Sequence, residues 1–354
     1  MRVMTTLLLG ACIGLTGCGD EVALGNEAAP SGTELWEQQV PIYPFDVAVG
    51  PDGSIYVVGS GGSHWQQWLG KFGPDGSLLW SHEAGLKKTF AVSVVVGEDG
   101  GIYTAVVDLV DSADEVHVDR FNSDGKLVWT LAQEFRSLSE LAAAPGGGVY
   151  AAGGEKLGDG VALLLQRIDA DGTVQWSVNE PALSGVADIQ VGAKGELLAT
   201  GMGETWWAHM RDVDGGTGWT AELGPALGSG PFQAMAVDAH GAMTIVAGAQ
   251  NDPAARGYLA RLDADGALLA TPRLLDRPPT NILQLGDSIV LANLIPPDSV
   301  EVQSEAGVIL WTAAPPEDCW KTWGLATAAG SPDSPIIVVR DCGNGVARMA
   351  ALQR

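Results

Sequence analysis

The sequence predicts an all-β protein, a seven-bladed β-propeller of four-stranded blades that is closed by an N-terminal strand. Three observations lead to this fold. A glycine-to-tryptophan motif occurs seven times, a glycine-bearing hairpin pattern lies between successive copies, and no segment keeps an apolar 3.6-residue period over three turns. A repeat of about 40 to 50 residues with four predicted strands is typical of a propeller blade. The missing helical period excludes helical repeats.

The repeated motif has a glycine four residues before a tryptophan. It occurs as PDGSLLW, NSDGKLVW, DADGTVQW, DVDGGTGW and SEAGVILW, which end at Trp80, Trp129, Trp176, Trp219 and Trp311. APSGTELW ends at Trp36, and DADGALLA is a degenerate copy with Ala270 in the tryptophan place. The motif glycines are Gly32, Gly76, Gly125, Gly172, Gly215, Gly266 and Gly307, spaced by 41 to 51 residues. Because Asp-Gly between apolar runs is a strong hairpin signal, each motif predicts the turn between the third and fourth strands.

The second pattern predicts the first two strands of each blade. Two apolar runs flank a glycine-bearing turn in FDVAVGPDGSIYVVG, FAVSVVVGEDGGIYTA, LAAAPGGGVYAAG, VADIQVGAKGELLATG and FQAMAVDAHGAMTIVAG. The first run is rich in alanine, as at Ala48, Ala91, Ala143, Ala236 and Ala326. Small side chains suit the crowded innermost strand of a propeller, so we assign this run to the strand beside the central axis.

The two ends of the chain together predict the last blade. The C-terminal Ala351–Arg354 parallels Leu164–Arg167, which ends a third strand, so the seventh blade lacks its fourth strand. Ser31–Trp36 carries the missing fourth-strand motif. We therefore expect Thr33–Glu37 to pair antiparallel with Arg348–Gln353, which closes the ring and removes an exposed sheet edge.

Composition supports a folded protein and excludes one class of partner. The 354 residues include 48 glycines and are 46% apolar, which excludes collagen-like and disordered chains. The formal net charge is −24. A nucleic-acid-binding surface needs a basic footprint, so no nucleic-acid partner is expected. Residues 32–354 are expected to form a single propeller domain, because closed all-β architectures can be this long.

The first 17 residues have the layout of a secretory signal. Arg2 precedes an apolar run from Leu7 to Leu15 that is too short to span a bilayer as a helix. Leu15-Thr16-Gly17-Cys18 resembles the bacterial lipobox. That resemblance implies cleavage after residue 17, acyl chains such as palmitate on Cys18, and an envelope protein anchored in the membrane through this lipid. The alternatives are an ordinary secretory signal with a chance cysteine and an uncleaved anchor.

The segment that follows the lipobox predicts a tether and a location. Residues 18–31 comprise Cys18 and an acidic stretch without an apolar period, so we expect a flexible linker to the propeller. By analogy with enteric sorting, Gly19 in place of aspartate after the cysteine favours the outer membrane.

The blade pattern, in segments such as IYVVG and KFGPDGSLLWSH, resembles the repeats of bacterial β-propeller proteins of the SBBP type. The resemblance extends over residues 32 to 354 and implies the fold far more than a function. Quinoprotein propellers are similar because their docking motif also ends in Gly-x-x-x-Trp. This chain lacks their usual Thr-Gly pair, and seven blades differ from the eight of the quinoproteins and of the propeller lipoprotein of the outer-membrane barrel-assembly machinery.

No linear motif in the chain predicts catalysis, a metal or a cofactor. The histidines lie singly, and no GxSxG elbow, phosphate loop or dinucleotide fingerprint is present. The Asp-x-Asp-Gly strings that begin at Asp169, Asp212 and Asp263 lie where a hairpin must turn. Turn formation is the preferred interpretation, with calcium loops as the alternative.

Candidate ligand-binding residues lie in the loops expected on one face of the ring. They are Trp65, Trp206, Trp320, Trp323, Lys87, Lys88, Arg273 and Arg277. Exposed indoles could stack on sugars or peptides, and the basic residues could meet an anionic ligand. The alternative for the tryptophans is packing at the rim.

The cysteines predict one disulfide. Cys12 leaves with the signal and Cys18 takes lipid, so Cys319 and Cys342 remain in an oxidising compartment. They flank the first hairpin of blade seven, where the start of one strand lies beside the end of the next. The chain-entropy model gives about 3 kcal/mol of stabilisation for a loop of this length. Two free thiols are the alternative.

These features together predict a monomeric, lipid-anchored, non-catalytic propeller that binds a protein or a glycan at the envelope. The alternative is a propeller enzyme, a lyase, a hydrolase or a quinoprotein-like oxidoreductase. Its site would lie on the loop face of the central funnel, built from residues of different blades that no linear motif reveals.

Overall fold

The computed structural model describes residues 31–61, 65–84, 88–110, 113–133, 137–157, 160–224, 233–248, 257–277, 279–293, 299–314, 316, 318–319, 321–327 and 334–354. These residues form 28 strands in seven antiparallel four-stranded sheets, which confirms the predicted seven-bladed propeller. The predicted signal peptide, Cys18 and most of the tether lie outside the described residues. Within the described part of the chain, no helix is long and apolar enough to cross a membrane.

The first four blades follow one another along the chain, each running from the central axis outward. Their strands are β2 (Ile42–Val49), β3 (Ile55–Gly61), β4 (Gln66–Phe72) and β5 (Leu78–Ala84); β6 (Thr89–Val96), β7 (Ile102–Val110), β8 (Ala113–Phe121) and β9 (Leu127–Gln133); β10 (Ser137–Ala143), β11 (Val149–Leu157), β12 (Gly160–Ile168) and β13 (Val174–Glu180); and β14 (Val186–Val191), β15 (Leu197–Met202), β16 (Trp206–Arg211) and β17 (Thr217–Gly224).

The last three blades complete the ring, and the seventh takes its outer strand from the N-terminal end of the described chain. Their strands are β18 (Gln233–Val237), β19 (Met243–Gly248), β20 (Gly257–Leu262) and β21 (Arg273–Leu275); β22 (Pro279–Leu285), β23 (Ser288–Asn293), β24 (Ser299–Ser304) and β25 (Ile309–Ala313); and β26 (Lys321–Ala326), β27 (Ile336–Asp341), β28 (Ala347–Leu352) and β1 (Glu34–Val40).

The ring closes as the sequence predicts. β1 pairs antiparallel with β28, with Glu34 opposite Leu352 and Val40 opposite Ala347. Two further bonds extend this ladder, from the Gly32 amide to the Gln353 carbonyl (2.7 Å) and from the Gln353 amide to the Thr33 carbonyl (2.8 Å). The last blade is therefore assembled from both ends of the propeller.

Tryptophan docking joins neighbouring blades around the rim, with an indole hydrogen bond at five of the seven contacts between blades in the described chain. The indole Nε1 of the motif tryptophan donates to a backbone carbonyl two residues before the motif glycine of the following blade. The five bonds span 2.9 to 3.1 Å and run from Trp36, Trp80, Trp129, Trp176 and Trp219 to the carbonyls of Pro74, Ser123, Ala170, Val213 and Ala264.

Each docked ring lies against the motif glycine itself. Gly76 and Gly215 have φ of 79° and 80°, a region that side chains rarely adopt. A Cβ at Gly76 would lie 2.6 Å from the Trp36 ring, and one at Gly215 would lie 2.9 Å from the Trp176 ring. Glycine is therefore required both for the turn and for the close approach of the indole.

The degenerate copy uses a different side chain for the same contact. Ala270 offers no ring, and the guanidinium of Arg273 from β21 lies against Gly307 instead. It donates to the Gly307 carbonyl at 3.4 Å and to the Gln303 side chain at 2.8 Å. Arg273 was a candidate ligand contact in the sequence, but the structure gives it this contact between blades five and six.

The apolar core lies between adjacent blades, not within one layer. Val57 and Phe72 of blade one, for example, pack in one cluster with Val339 and Met349 of blade seven. The predicted disulfide is present: Cys319 and Cys342 are joined, with Cα atoms 3.9 Å apart. It links the chain just before β26 to the chain just after β27, beside the blade whose outer strand comes from β1.

The closing strand generates the first prediction. A lipid-free protein that begins at Pro41 lacks β1, exposes the edge of β28 and loses the Trp36 dock. We expect its free energy of unfolding to fall by about 3 kcal/mol or more, as for loss of a packed tryptophan, and the protein to aggregate. Urea unfolding and light scattering measure both effects.

The matched control is a lipid-free protein that begins at Ser31, which keeps β1 complete. Equal stability of the two truncated proteins would contradict a closing role for this strand.

Candidate functional site

A concave site lies in the central channel, near the axis of the propeller. A cavity of about 670 Å³ lies there, lined by residues from the innermost strand of every blade, β2, β6, β10, β14, β18, β22 and β26. Its volume is in the range of sites that hold small molecules or a few residues of a peptide.

One register position repeats around this channel. The residues there are Asp46, Ser93, Glu140, Asp188, Ala234, Asn281 and Gly324, opposite Val58, Ala105, Ala152, Thr200, Val246, Ala292 and Val339 of the second strands. In six blades a register shift directly precedes this residue, as between Pro44 and Asp46. Such bulges change the direction of a side chain. We call this set the ring position.

Several side chains at the ring position hold the next blade. Asp46 Oδ2 accepts the backbone N–H of Val94 at 2.9 Å, and Asp188 Oδ2 accepts that of Met235 at 2.6 Å. Ser93 Oγ accepts the Leu141 N–H at 3.2 Å in the same way. The ring position thus includes a series of polar links between neighbouring inner strands.

Three of these side chains are carboxylic acids, which we call the channel carboxylates: Asp46, Glu140 and Asp188. Burial raises the pKa of Asp46 to about 6 and that of Asp188 to about 7, although backbone N–H donors partly oppose the shift. Burial, with the charges of Asp188 and Asp46, raises the pKa of Glu140 well above its usual range. The three acids therefore repel one another, and each ionises at a higher pH than a solvent-exposed carboxyl group does.

The fold does not require charge at these places. Ser93 makes the same link to the next inner strand with a neutral hydroxyl, and Asn281 donates through its amide to the Trp323 carbonyl at 3.3 Å. Replacing such neutral groups with three mutually repelling acids weakens the folded state. Departures of this kind, where charge opposes stability, are typical of functional sites.

An aromatic cluster lies on the loop face, where the innermost strands begin. We call it the mouth wall, and its members are Tyr43, Phe45, Trp65, Phe90 and Trp323. Trp65 stacks on Tyr43 with centroids 4.8 Å apart and planes 3° apart. Phe45 contacts the edges of Phe90 at 6.1 Å and of Trp323 at 5.7 Å, and Trp65 lies 6.0 Å from Phe90. Phe45 and Trp323 also line the cavity, so the wall continues into the channel.

Trp65 is the exposed member of the mouth wall. Its side chain is 45% exposed, and its φ is 57°, in the left-handed region that bulky residues avoid. Its carbonyl accepts the Thr89 N–H at 2.9 Å, which ties this loop to blade two. Backbone strain that is held by surrounding structure often occurs at ligand-binding positions.

Trp206 differs from the sequence expectation of an indole near an exposed loop. It is the first residue of β16, only 2% exposed, and packs against Ala247 and Ala260 of blade five. It also lines the cavity, and among the described residues its Nε1 has no hydrogen-bond partner. A buried donor without an acceptor costs free energy unless a ligand or water satisfies it.

The remaining candidates from the sequence fall into three groups. Trp320 and Lys87 lie outside the described residues. Lys88 is exposed on the loop face beside blade two, with φ of 67°. Arg277 donates to Ser299 Oγ at 2.9 Å, and Arg273 docks on Gly307, so both guanidinium groups make contacts within the fold.

The Asp-x-Asp-Gly strings behave as turns. Asp212 Oδ1 accepts the N–H groups of Asp214 and Gly216, and Asp263 Oδ1 accepts those of Asp265 and Ala267. Across the described part of the chain, no group of three or more His, Cys, Asp or Glu residues is placed to hold a metal ion.

Sequence reasoning missed the channel carboxylates. We assigned the innermost strands by their small apolar residues; Asp46 and Asp188 are polar residues within those runs, and Glu140 directly precedes one of them. The available signal is positional: Asp46, Ser93 and Asp188 each lie four residues before a turn glycine, Gly50, Gly97 and Gly192. An alignment of the repeats on these turn glycines would have placed Asp46, Ser93 and Asp188 at one equivalent position.

Comparison with known proteins supports the fold alone. No protein-family model matches the chain, and a search of curated proteins gives no match. Among solved structures, a chain of the Mitotic Checkpoint Complex is similar with a TM-score of 0.68 at 13% identity, covering 92% of this chain and 98% of that one. The Neurospora crassa Pan2 WD40 domain gives 0.61 at 12% identity, covering 91% and 96%. BamB from Moraxella catarrhalis gives 0.50 at 14% identity, covering 90% and 99%.

The raised acids generate the second prediction, a pH dependence of stability. The pKa of Asp188 is about 7 in the folded protein and about 4 when unfolded. Between these values the folded state binds more protons, so the contribution of this group to stability is full below pH 4 and is lost as pH rises to about 7. We expect Asp188→Asn, which can still accept the Met235 N–H, to be more stable than wild type at pH 8 and nearly equal at pH 4.

Urea unfolding at pH 4, 6 and 8 measures this difference, and the exposed Glu83→Gln variant is the control for loss of one charge. A difference between Asp188→Asn and wild type that does not change with pH would contradict the assigned shift.

Proposed function

We propose that this protein is a monomeric, lipid-anchored propeller of the bacterial cell envelope that binds a protein partner at the mouth of its channel without catalysing a reaction. The observation that carries the proposal is the mouth wall. Five aromatic side chains from blades one, two and seven meet there, and Trp65 is held exposed in a strained conformation. Rigid aromatic side chains at a concave surface are typical anchors of protein interfaces.

A protein ligand is favoured over a glycan by the shape of the site. The mouth wall continues into a closed ring of inner strands and not along an open groove, so the channel fits a short chain segment or a loop. The propellers that are similar to this chain include one from the Mitotic Checkpoint Complex, which its name describes as an assembly. Trp65 could also stack on a sugar ring, so glycan binding remains a distinct outcome of the test.

The envelope location is supported by the N-terminal sequence. The apolar run and the lipobox-like Leu15–Cys18 precede a tether that enters the propeller at Gly32. BamB of Moraxella catarrhalis, a bacterial propeller, has a similar fold at a TM-score of 0.50. The glycine after Cys18 favours the outer membrane.

A hydrolase or lyase is the second candidate, and the raised pKa of Asp188 favours it. A carboxylic acid that holds its proton near pH 7 can act as a general acid, as catalysis of bond cleavage requires. The discriminating observation is a shorter product released from the bound ligand by wild type and not by Asp188→Asn.

Acylation is tested at Cys18. In a bacterial host with lipoprotein processing, we expect the wild-type chain to incorporate labelled palmitate and to fractionate with membranes. Cys18→Ser should lose both the label and membrane association. Cys12→Ser is the matched control and should retain them; label that persists in Cys18→Ser would exclude this anchor.

The binding surface is tested by photo-crosslinking in intact cells. A benzoylphenylalanine in place of Trp65 or Phe90 should give a discrete protein adduct. The same group at the exposed Leu310 of β25, which lies away from the mouth, should not. Equal adducts from both places, or none from the mouth, would contradict a protein ligand there. Binding of an immobilised glycan that Trp65→Ala abolishes would indicate the glycan alternative.

A further inference from the structure

We propose that the channel binds a cationic side chain of the bound segment, a lysine ammonium or an arginine guanidinium, in the negative field of Asp46, Glu140 and Asp188. The proposal deepens the proposed function and rests on it, since the cation enters through the mouth wall as part of the protein partner. It assigns the chemical class of the ligand, which the aromatic surface alone does not.

The negative charge in the channel has no partner within the described protein. No described lysine, arginine or histidine lines the cavity, and none of the channel carboxylates forms an ion pair with a described residue. Their hydrogen-bond partners are neutral and include the amides of Val47, Val94 and Met235 and the hydroxyl of Ser93. A cation from outside would relieve the repulsion among these three half-buried acids.

These charges are separable from the fold. Neutral Ser93 and Asn281 link neighbouring blades at the same ring position, and Ala234 and Gly324 show that the position does not require a polar side chain. The links from Asp46 and Asp188 to the next blade therefore need a hydrogen-bond acceptor but not a negative charge, so ionised acids weaken the empty protein. Recognition of a positive charge is a role that serine or asparagine could not fill equally well.

The mouth wall already accommodates one lysine. Lys321 Nζ lies 3.2 Å from the centroid of the Trp323 ring, a cation–π contact at the rim of the channel. Burial lowers the pKa of Lys321, while Asp341 partly opposes the shift. Phe45 and Trp323 both line the cavity. The side chain of a lysine or arginine in the ligand can therefore pass these two rings and bring its charge to the deeper carboxylates.

Trp206 supplies an independent sign of a ligand. Trp206 is only 2% exposed and lines the cavity. Its Nε1 nevertheless has no hydrogen-bond partner among the described residues. An N–H donor needs an acceptor, which a cation does not provide. A lysine or arginine residue within a peptide brings both groups, the charge at the end of the side chain and a backbone carbonyl beside it.

The test measures binding of short peptides to the mature acylated protein in detergent micelles. The probes are acetyl-Gly-Lys-Gly-amide, its arginine analogue and its Nε-acetyl-lysine analogue. Calorimetry gives Kd, and ¹⁵N-labelled tryptophan reports the indole N–H resonance of Trp206, assigned with Trp206→Phe. We expect the lysine and arginine peptides to bind and to shift this resonance, and the uncharged acetyl-lysine peptide to bind at least tenfold more weakly.

The carboxylates are tested by neutral variants and by pH. Asp188→Asn and Glu140→Gln should each raise Kd for the lysine peptide by about tenfold or more, the size of a lost charge-assisted hydrogen bond. Glu83→Gln, an equal change of charge on the outer strand β5, should leave it unchanged. Since protonation removes the negative charges, Kd should be at least tenfold higher at pH 5 than at pH 8.

Each alternative outcome has a distinct meaning. Equal binding of the charged and acetylated peptides, or no effect of the carboxylate variants and of pH, would overturn the cation site. Tighter binding of glucosamine than of the lysine peptide would overturn a protein-derived cation in favour of an amino sugar. If crosslinking through Trp65 persists while the peptides fail, the proposed protein binding stands and only the cation site is lost. If crosslinking also fails, the proposed function is lost with it.

Discussion

The docking of an indole from one blade on the turn of the next is the contact on which the ring depends. Each blade is a small twisted sheet that cannot bury both of its faces by itself, so it is stable only between two neighbours. Apolar clusters, such as that of Val57, Phe72, Val339 and Met349, fill the space between blades. The indole fixes the alignment, because its N–H must reach one carbonyl and its ring must lie on one glycine, as Trp129 does with Ala170 and Gly172. A blade shifted by one residue would lose both contacts.

The same contact explains why the ring tolerates one degenerate copy and needs both chain ends. Blade five has no motif tryptophan, and Arg273 from β21 lies on Gly307 instead. Its guanidinium is planar, as an indole ring is, and can therefore make the same contact. In blade seven the motif comes from the N-terminal end, so Trp36 docks on blade one while Gly32 receives the Trp311 ring of blade six. Gly32 and Trp36 thus connect the last blade to both neighbours. The Cys319–Cys342 bridge secures the inner hairpin of that blade covalently.

The sequence was sufficient for the fold and insufficient for the channel, for a physical reason. Docking requires the same residue types in each blade, so Gly and Trp recur at fixed spacing and reveal the architecture, the closing strand and the location of the disulfide. The ring position requires only a side chain that fits beside its neighbour, and aspartate, serine, glutamate, alanine, asparagine and glycine all satisfy it. No repeated residue type marks it. The burial of Trp206 likewise depends on Ala247 and Ala260 of the next blade, which lie about 40 to 54 residues away in the chain.

The backbone geometry at the ring position is similar from blade to blade, whereas the residue type there varies. A propeller can therefore contain a binding site that no sequence motif marks. In six blades a bulge precedes the ring position and sets the direction of the side chain there, and the outer docking contacts hold that geometry whatever the side chain is. Acids at three of the seven places create a local field that the other four do not cancel. Stability would favour neutral residues there, and the cation that we propose to enter the channel accounts for the charges. The exposed Trp65, the wall that leads inward and the unmatched Trp206 donor all lie on the path that such a ligand would take.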